Sequence, residues 1–385
     1  MRLRQLYDLN NYETPQLLDP KITNAQLVTY YTKWKDDLVA CKEAEGTCRV
    51  RFSKSGNKAT QTVSEGQGYG MIITVAMSDF DTTAQNTFNA MLKFAESTPS
   101  TIKPHLMSWK YFDNKPNKRS DSAFDEDADI VYSLILANEK WGSQSGGINY
   151  LEKAKTILGD LTTLIGNDSF LPLVGDWVEQ NGNEYNQYTT RSSDFMLANF
   201  MKFKSVLEGA SATKWDTAIT TLIGLINKNN ENNSRGLLPD FLKFKNGVIT
   251  PAANGFLEGN DGDYFYNACR DPWRFASYYF QTGDKRIIKE LNDLTKFFYD
   301  NSNGNPNKIK SGYKLNGNAL SGSNYVSMAF VAPFGATAMV KNVNMDETNQ
   351  QKFLDDIVAL MVVTHDDYFE DSINLLSLIS MVHRK

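Results

Sequence analysis

The chain has 385 residues, 41% of them hydrophobic and 12% aromatic, enough for one large core, and a formal charge of −5. That acidity argues against a nucleic-acid partner, because no basic stripe could release counterions from phosphates. No apolar run is long enough to span a bilayer. The opening MRLRQLYDLNNYETPQ is too polar for a signal peptide's apolar core, so the expectation is either a cytoplasmic protein or one whose signal has been removed.

Apolar residues recur at helical spacing almost throughout. They predict helices over 24–44, 65–78, 83–97, 125–141, 148–165, 192–208, 213–230, 264–281, 284–301, 322–341, 347–363 and 368–382. Strand-like alternation is limited to short stretches near 170–179 and 238–249. Twelve helices of similar length form six hairpins, and no Pro, Gly or Ser tract divides them. The expected fold is therefore all-α, a single (α/α)6 toroid over 1–385 whose loops gather around a cleft at one end.

Cys41, inside the first predicted helix, and Cys48, beyond its end, are spaced to close one small loop or to remain thiols, and Cys269 has no such partner. Three cysteines exclude a dense disulfide framework. The histidines, His105, His365 and His383, are scattered and match no metal spacing. The stretch TVSEGQGYGM sets Glu65 at a helix start, with Ser64 and Gln67 spaced as a capping box. Gly66, Gly68 and Gly70 each cost that helix roughly 1 kcal/mol against alanine, so something must approach its backbone closely. Trp109 in LMSWKYF and Trp177 in VGDWVEQ fall in loop-like stretches. Asp125, Glu126, Asp127 and Asp129 crowd a helix start, where a solvated turn facing the helix dipole is as good a reading as a sugar-binding acid. The segment PAANGFLEGNDGDYFYNACRDPWRF gathers Glu258, Asp261, Asp263, Arg270, Arg274 and four aromatics; Arg270 is suited to hold a neighbouring carboxylate ionised.

No nucleophile elbow, Cys/His pair or phosphate loop is present. Carboxylate chemistry remains, and glycosidic cleavage requires two carboxyl groups of opposed protonation state. Six Trp, 18 Tyr and 22 Phe suit flat ligands such as sugars or bases.

Taken together, TYYTKW, SEGQGYGM, LMSWK, AFDEDADIVYSLILANEKW, RSSDFM and YNACRDPWRF resemble family 8 of the glycoside hydrolases across most of the chain. The resemblance implies a barrel of six helical hairpins and hydrolysis with inversion at the anomeric carbon. Glu65 matches the family's proton donor and Asp125 the aspartate that binds sugar at the cleavage point. Phe124, Glu126 and Val131 depart from the usual pattern around Asp125. The larger departure is Asn267, where many members carry the aspartate base. The branch with asparagine, populated by chitosanases and mixed-linkage glucanases, draws its base from a glutamate on the preceding loop. Glu258, nine residues before Asn267, is the best match, with Asp261 and Asp263 in reserve.

On this reading Trp109, Tyr266, Trp177 and Tyr188 are candidates for stacking on sugar faces. Asn267 helps to position water, Arg270 supports an acid of the cleft, and Asp194 of RSSDFM is counted with the substrate-binding residues. The implied substrate is a β-1,4-linked polysaccharide, with chitosan set ahead of lichenan and cellulose. Glu126, Asp127, Asp176, Glu179 and Glu184 are candidate acids for a polycation. A non-catalytic glycan-binding protein on the same scaffold is the reading from a different class. No cofactor, metal, nucleic-acid or membrane partner is expected, and the protein is expected to be a secreted monomer.

Overall fold

The computed structural model describes residues 11–143 and 147–382; His383 lies outside them. Twelve helices run in chain order among the described residues. They are α1 (Asn24–Leu38), α2 (Ser64–Ala76), α3 (Ala84–Ser97), α4 (Phe124–Trp141), α5 (Tyr150–Leu161) and α6 (Leu197–Val206). There follow α7 (Gly209–Asn232), α8 (Asp271–Thr282), α9 (Ile288–Ser302), α10 (Met328–Ala338), α11 (Glu347–Met361) and α12 (Tyr368–Val382).

The even-numbered helices form an inner ring. Each packs on the next even-numbered helix, and α12 packs back on α2 to close the circle. The odd-numbered helices pack outside them, which makes the fold an (α/α)6 barrel. Sequence explains the division. Every residue of α10 is buried, and in α2 all but Glu65 and Ala76 are, as expected of helices enclosed on all sides. The outer α9 instead buries Leu291, Leu294 and Phe298 and faces solvent with the pairs Lys289–Asp293 and Lys296–Asp300.

Several boundaries differ from the sequence reading. The first helix stops at Leu38. The chain then pairs β1 (Val39–Lys42) antiparallel with β2 (Thr47–Val50), placing Cys41 opposite Cys48 in a disulfide, while Cys269 is free and buried. β3 (Gln61–Val63) pairs with β4 (Lys110–Phe112). The stretch 170–179 makes only isolated bridges, Ile165 with Pro172 and Ala123 with Gly175. The region 238–249 does contribute a strand: β5 (Thr189–Arg191), β6 (Phe241–Lys245) and β7 (Val248–Pro251) form a three-stranded sheet. The helix expected over 264–281 starts only at Asp271, because Pro272 sets its first turn and a single 3₁₀ turn, Ala268–Arg270, precedes it.

The capping box does not form. Val63 is the N-cap of α2 and offers no side chain to it. Gln67 is buried and reaches sideways, accepting from the Val50 amide at 3.1 Å and donating to the carbonyls of Cys48 and Met91. The glycines do mark close approaches, all of them by protein. A Cβ on Gly68 would lie 2.9 Å from the Glu126 carbonyl, and one on Gly70 would lie 2.4 Å from a Val50 methyl. Those contacts seat α2 against α4 and β2, and so fix where Glu65 emerges.

Candidate active site

A groove of about 740 Å³ opens over the N-terminal ends of inner helices, with Glu65 from α2, Glu126 from α4, Arg270 just before α8, and Tyr368, Phe369 and Glu370 from α12 on its walls. Helix N-termini carry partial positive charge and favour acids placed there. Arg270 is the hub beneath the groove. It is buried, and its guanidinium donates to Glu65 Oε2 at 2.6 Å, Asp125 Oδ2 at 2.8 Å, the Tyr69 hydroxyl at 3.1 Å, Ser193 Oγ at 2.8 Å and Asn267 Oδ1 at 2.9 Å. Arg270 thus organises the acids from below.

The two acids on Arg270 titrate in opposite directions. Burial raises the Glu65 pKa and the charge of Asp125 raises it further, against the pull of Arg270 and Arg191. The Tyr368 hydroxyl lies 3.0 Å from its other oxygen. For Asp125, burial is outweighed by Arg191 and Arg270, and its carboxyl is held below the usual aspartate value. An acid biased toward its protonated form therefore sits beside one biased toward its ionised form.

Also on the groove wall, Asn267 donates through Nδ2 to Glu258 Oε2 and to Asp240 Oδ2, each at 3.2 Å. Glu258 lies on an exposed loop and lines the groove. Asp261 is buried and turned inward, accepting from the amides of Gly255 and Glu258, so it ties the Glu258 loop down. Asp263 is likewise absent from the groove wall. A chain of hydrogen bonds thus runs from Glu65 through Arg270 and Asn267 to Glu258.

Trp109, Trp177 and Tyr266 line the groove. Trp109 is 41% exposed, and the Tyr266 hydroxyl is 2.9 Å from that of Tyr325. Tyr188, Asp125 and Asp194 do not line this groove themselves. Tyr188 lies under the Lys245 ammonium, 4.6 Å from its ring centroid. Asp194 is fully buried, and its Oδ1 accepts from Nε of Arg191, the arginine that holds Asp125, at 2.9 Å, while its Oδ2 is buried without a partner. Of the acids considered for a polycation, Glu126 alone faces the groove. Burial raises its pKa well above the ordinary value, and Ser64 hydrogen-bonds to it. Asp127 and Asp176 are buried on Ser122, and Glu179 and Glu184 lie outside the groove.

Three residues of the site had no local signal in the sequence. Asp240 accepts from the amides of Phe265, Asn267 and Ala268 and so fixes the turn that presents Asn267 and Arg270. Burial pushes its pKa up to about 7. Arg191 and Tyr368 reach the centre from β5 and the start of α12; Arg191 opens RSSDFM, in which only Asp194 carries an expected role.

Acid pairs bridged by cations, in an aromatic-walled groove at one mouth of a helical ring, define a carbohydrate-processing class of site. The sequence pattern described as "Glycosyl hydrolases family 8" matches residues 15–383, and the chain belongs to that family. It is 39% identical to a β-glucanase of Niallia circulans, over 91% of this chain and 83% of that protein. It is 32% identical to an endoglucanase of Bacillus sp. (strain KSM-330), over 95% of this chain and 77% of that protein. In structure it is similar to the apo form of a β-1,3-1,4-glucanase from Paenibacillus sp. X4, with a TM-score of 0.87, 34% identity and 97% of both chains covered.

Proposed function

We propose that the chain is an endo-acting, inverting hydrolase of β-1,4-linked glucan, with mixed-linkage β-1,3-1,4-glucan as its substrate. Glu65 gives its proton to the leaving glycosidic oxygen. Water attacks the anomeric carbon from the opposite face, Glu258 takes the water's proton, and the new reducing end carries inverted configuration. Asp125, buried on Arg191 and Arg270 and off the groove wall itself, is assigned a hydroxyl of the sugar at the cleavage point, and Asn267 fixes the Glu258 carboxylate. The observation that carries this reading is the Asn267–Glu258 contact on the groove wall, joined through Arg270 to Glu65, while Asp261 and Asp263 face elsewhere.

The preference passes from chitosan to an uncharged glucan because four of the six acids on the wall, Glu65, Asp121, Glu126 and Glu370, have their pKa raised by burial, toward the neutral form. Glu126, the one candidate polycation-binding acid on the wall, is biased by burial toward its neutral form, and Lys110, Arg191 and Arg270 share that wall. Similarity to a β-glucanase and to a β-1,3-1,4-glucanase supports the same choice. A polymeric substrate too large to enter a cell supports secretion, and among the described residues no helix is long and apolar enough to cross a membrane.

The test is a reducing-end assay on lichenan, carboxymethyl cellulose, xylan and chitosan, with NMR of the first-formed anomer. Lichenan is expected to be cut fastest, with inversion. Glu65→Gln should lower turnover by about 10²–10⁴-fold while still being retarded by lichenan in an affinity gel. Faster cleavage of chitosan, or a product that keeps its anomeric configuration, would overturn the assignment.

A further inference from the structure

Trp109 and Lys110 form a cation-bearing platform beside the proposed acid. The Lys110 ammonium rests 3.8 Å from the Trp109 ring centroid, and both residues line the groove. Lys110 opens β4 opposite Val63, and the Trp109 carbonyl accepts from the Ser64 amide at 3.1 Å, one residue before Glu65. Among the described residues Lys110 makes no ion pair. Asp121, whose backbone carbonyl receives the Trp109 amide, also lines the groove, and its carboxylate makes no ion pair with Lys110 among the described residues.

A sugar stacking on this indole must share the face with an ammonium. Neutral hydroxyls accept hydrogen bonds from it, a carboxylated unit gains a charge partner, and a cationic unit meets a like charge in a partly desolvated wall. We propose that Lys110 is a charge selector at the subsite next to the cleavage point, disfavouring cationic sugar units and favouring carboxylated ones. This inference rests on the glucan-cleaving reading of the groove and assigns its substrate selectivity to one side chain.

One mixed-linkage glucan prepared in three forms, native, lightly carboxymethylated and lightly aminoethylated, tests it with the wild type, Lys110→Gln and Lys110→Arg. At low salt, Lys110→Gln should raise the aminoethylated-to-native ratio of kcat/KM by roughly threefold to tenfold and lower the carboxymethylated-to-native ratio by a similar factor. Lys110→Arg should keep the wild-type ratios, and the differences should fade near 1 M salt, where screening acts within about 3 Å. The same ratios are read as retardation in affinity gels. Ratios that ignore Lys110 in both readouts overturn the selector. Native glucan left uncut, with retardation still following Lys110, overturns the hydrolase reading and keeps the selector.

Discussion

Replacing Arg270 by methionine removes the cation on which the acids of the groove converge. Its side chain is 1% exposed, and it holds Asp125, 2% exposed, at 2.8 Å and Glu65, 14% exposed, at 2.6 Å. Removing one partner of a buried pair leaves uncompensated charge and costs about 3–5 kcal/mol. With an unfolding entropy of about 2.1 cal/mol/K per residue, a chain of this length loses about 4–6 °C in Tm. The loss should depend on pH. Asp125 has a folded pKa below its ordinary value of 3.8, so its stabilisation is present above that value and disappears as pH falls through the folded one. Glu65 is already shifted upward with Arg270 in place, and losing the arginine raises it further, which adds a penalty wherever the carboxylate is ionised. The Tm gap between wild type and Arg270→Met should therefore be widest near pH 8 and shrink below about pH 4, where both carboxyls protonate without help. Scanning calorimetry at matched ionic strength measures it. A gap under about 1 °C at pH 8, or one that widens on acidification, would refute the account of Arg270 as the site's counter-charge.

Asn267→Asp tests why a carboxamide stands at this position. The amide donates to both Glu258 and Asp240 and accepts from Arg270, whereas a carboxylate has no donor and would bring a third negative charge. Expected outcomes are a kcat reduced at least about tenfold and a stability loss of about 1–3 kcal/mol, read from lichenan kinetics and thermal melts; a faster enzyme would refute the need for a donor there. Changing both Cys41 and Cys48 to serine opens a loop of sequence separation 7 and should cost about 2–3 kcal/mol in denaturant titrations. Because Gln67 and Gly70 pack on that hairpin, lichenan turnover should fall with it; unchanged kcat would show that the hairpin does not steady Glu65.

The barrel was legible because apolar residues recur at helical spacing in twelve segments of similar length with no tract dividing them, and that periodicity survives in a single sequence. What failed was local. Ser64 and Gln67 have capping-box spacing, but a buried glutamine beside an incoming strand satisfies more backbone groups by bonding β2 and α3 than by folding back on its own helix. The helix predicted to run to residue 44 ended at Leu38 because β1 and β2 pair across the disulfide. The acids Glu65, Asp125 and Glu258 stood in recognisable motifs. Asp240, Arg191 and Tyr368 are single residues brought in from distant segments, and no spacing along the chain announces such meetings. Asp194 shows the same limit: its Oδ1 accepts from Arg191, while its Oδ2 is buried without a partner, and neither fact is visible in RSSDFM.

The proposed acid and the proposed base are mounted on different kinds of support. Glu65 is built into the ring, wedged between a strand and two helices, whereas Glu258 hangs on an exposed loop moored by the Asp261 carboxylate and one carboxamide. On the proposed reading, proton donation and water activation thereby fall to supports of unequal burial. Loop exchange is then a route to a different nucleophile-activating group without disturbing the barrel, and agitation of that loop silences the chemistry before it empties the trough.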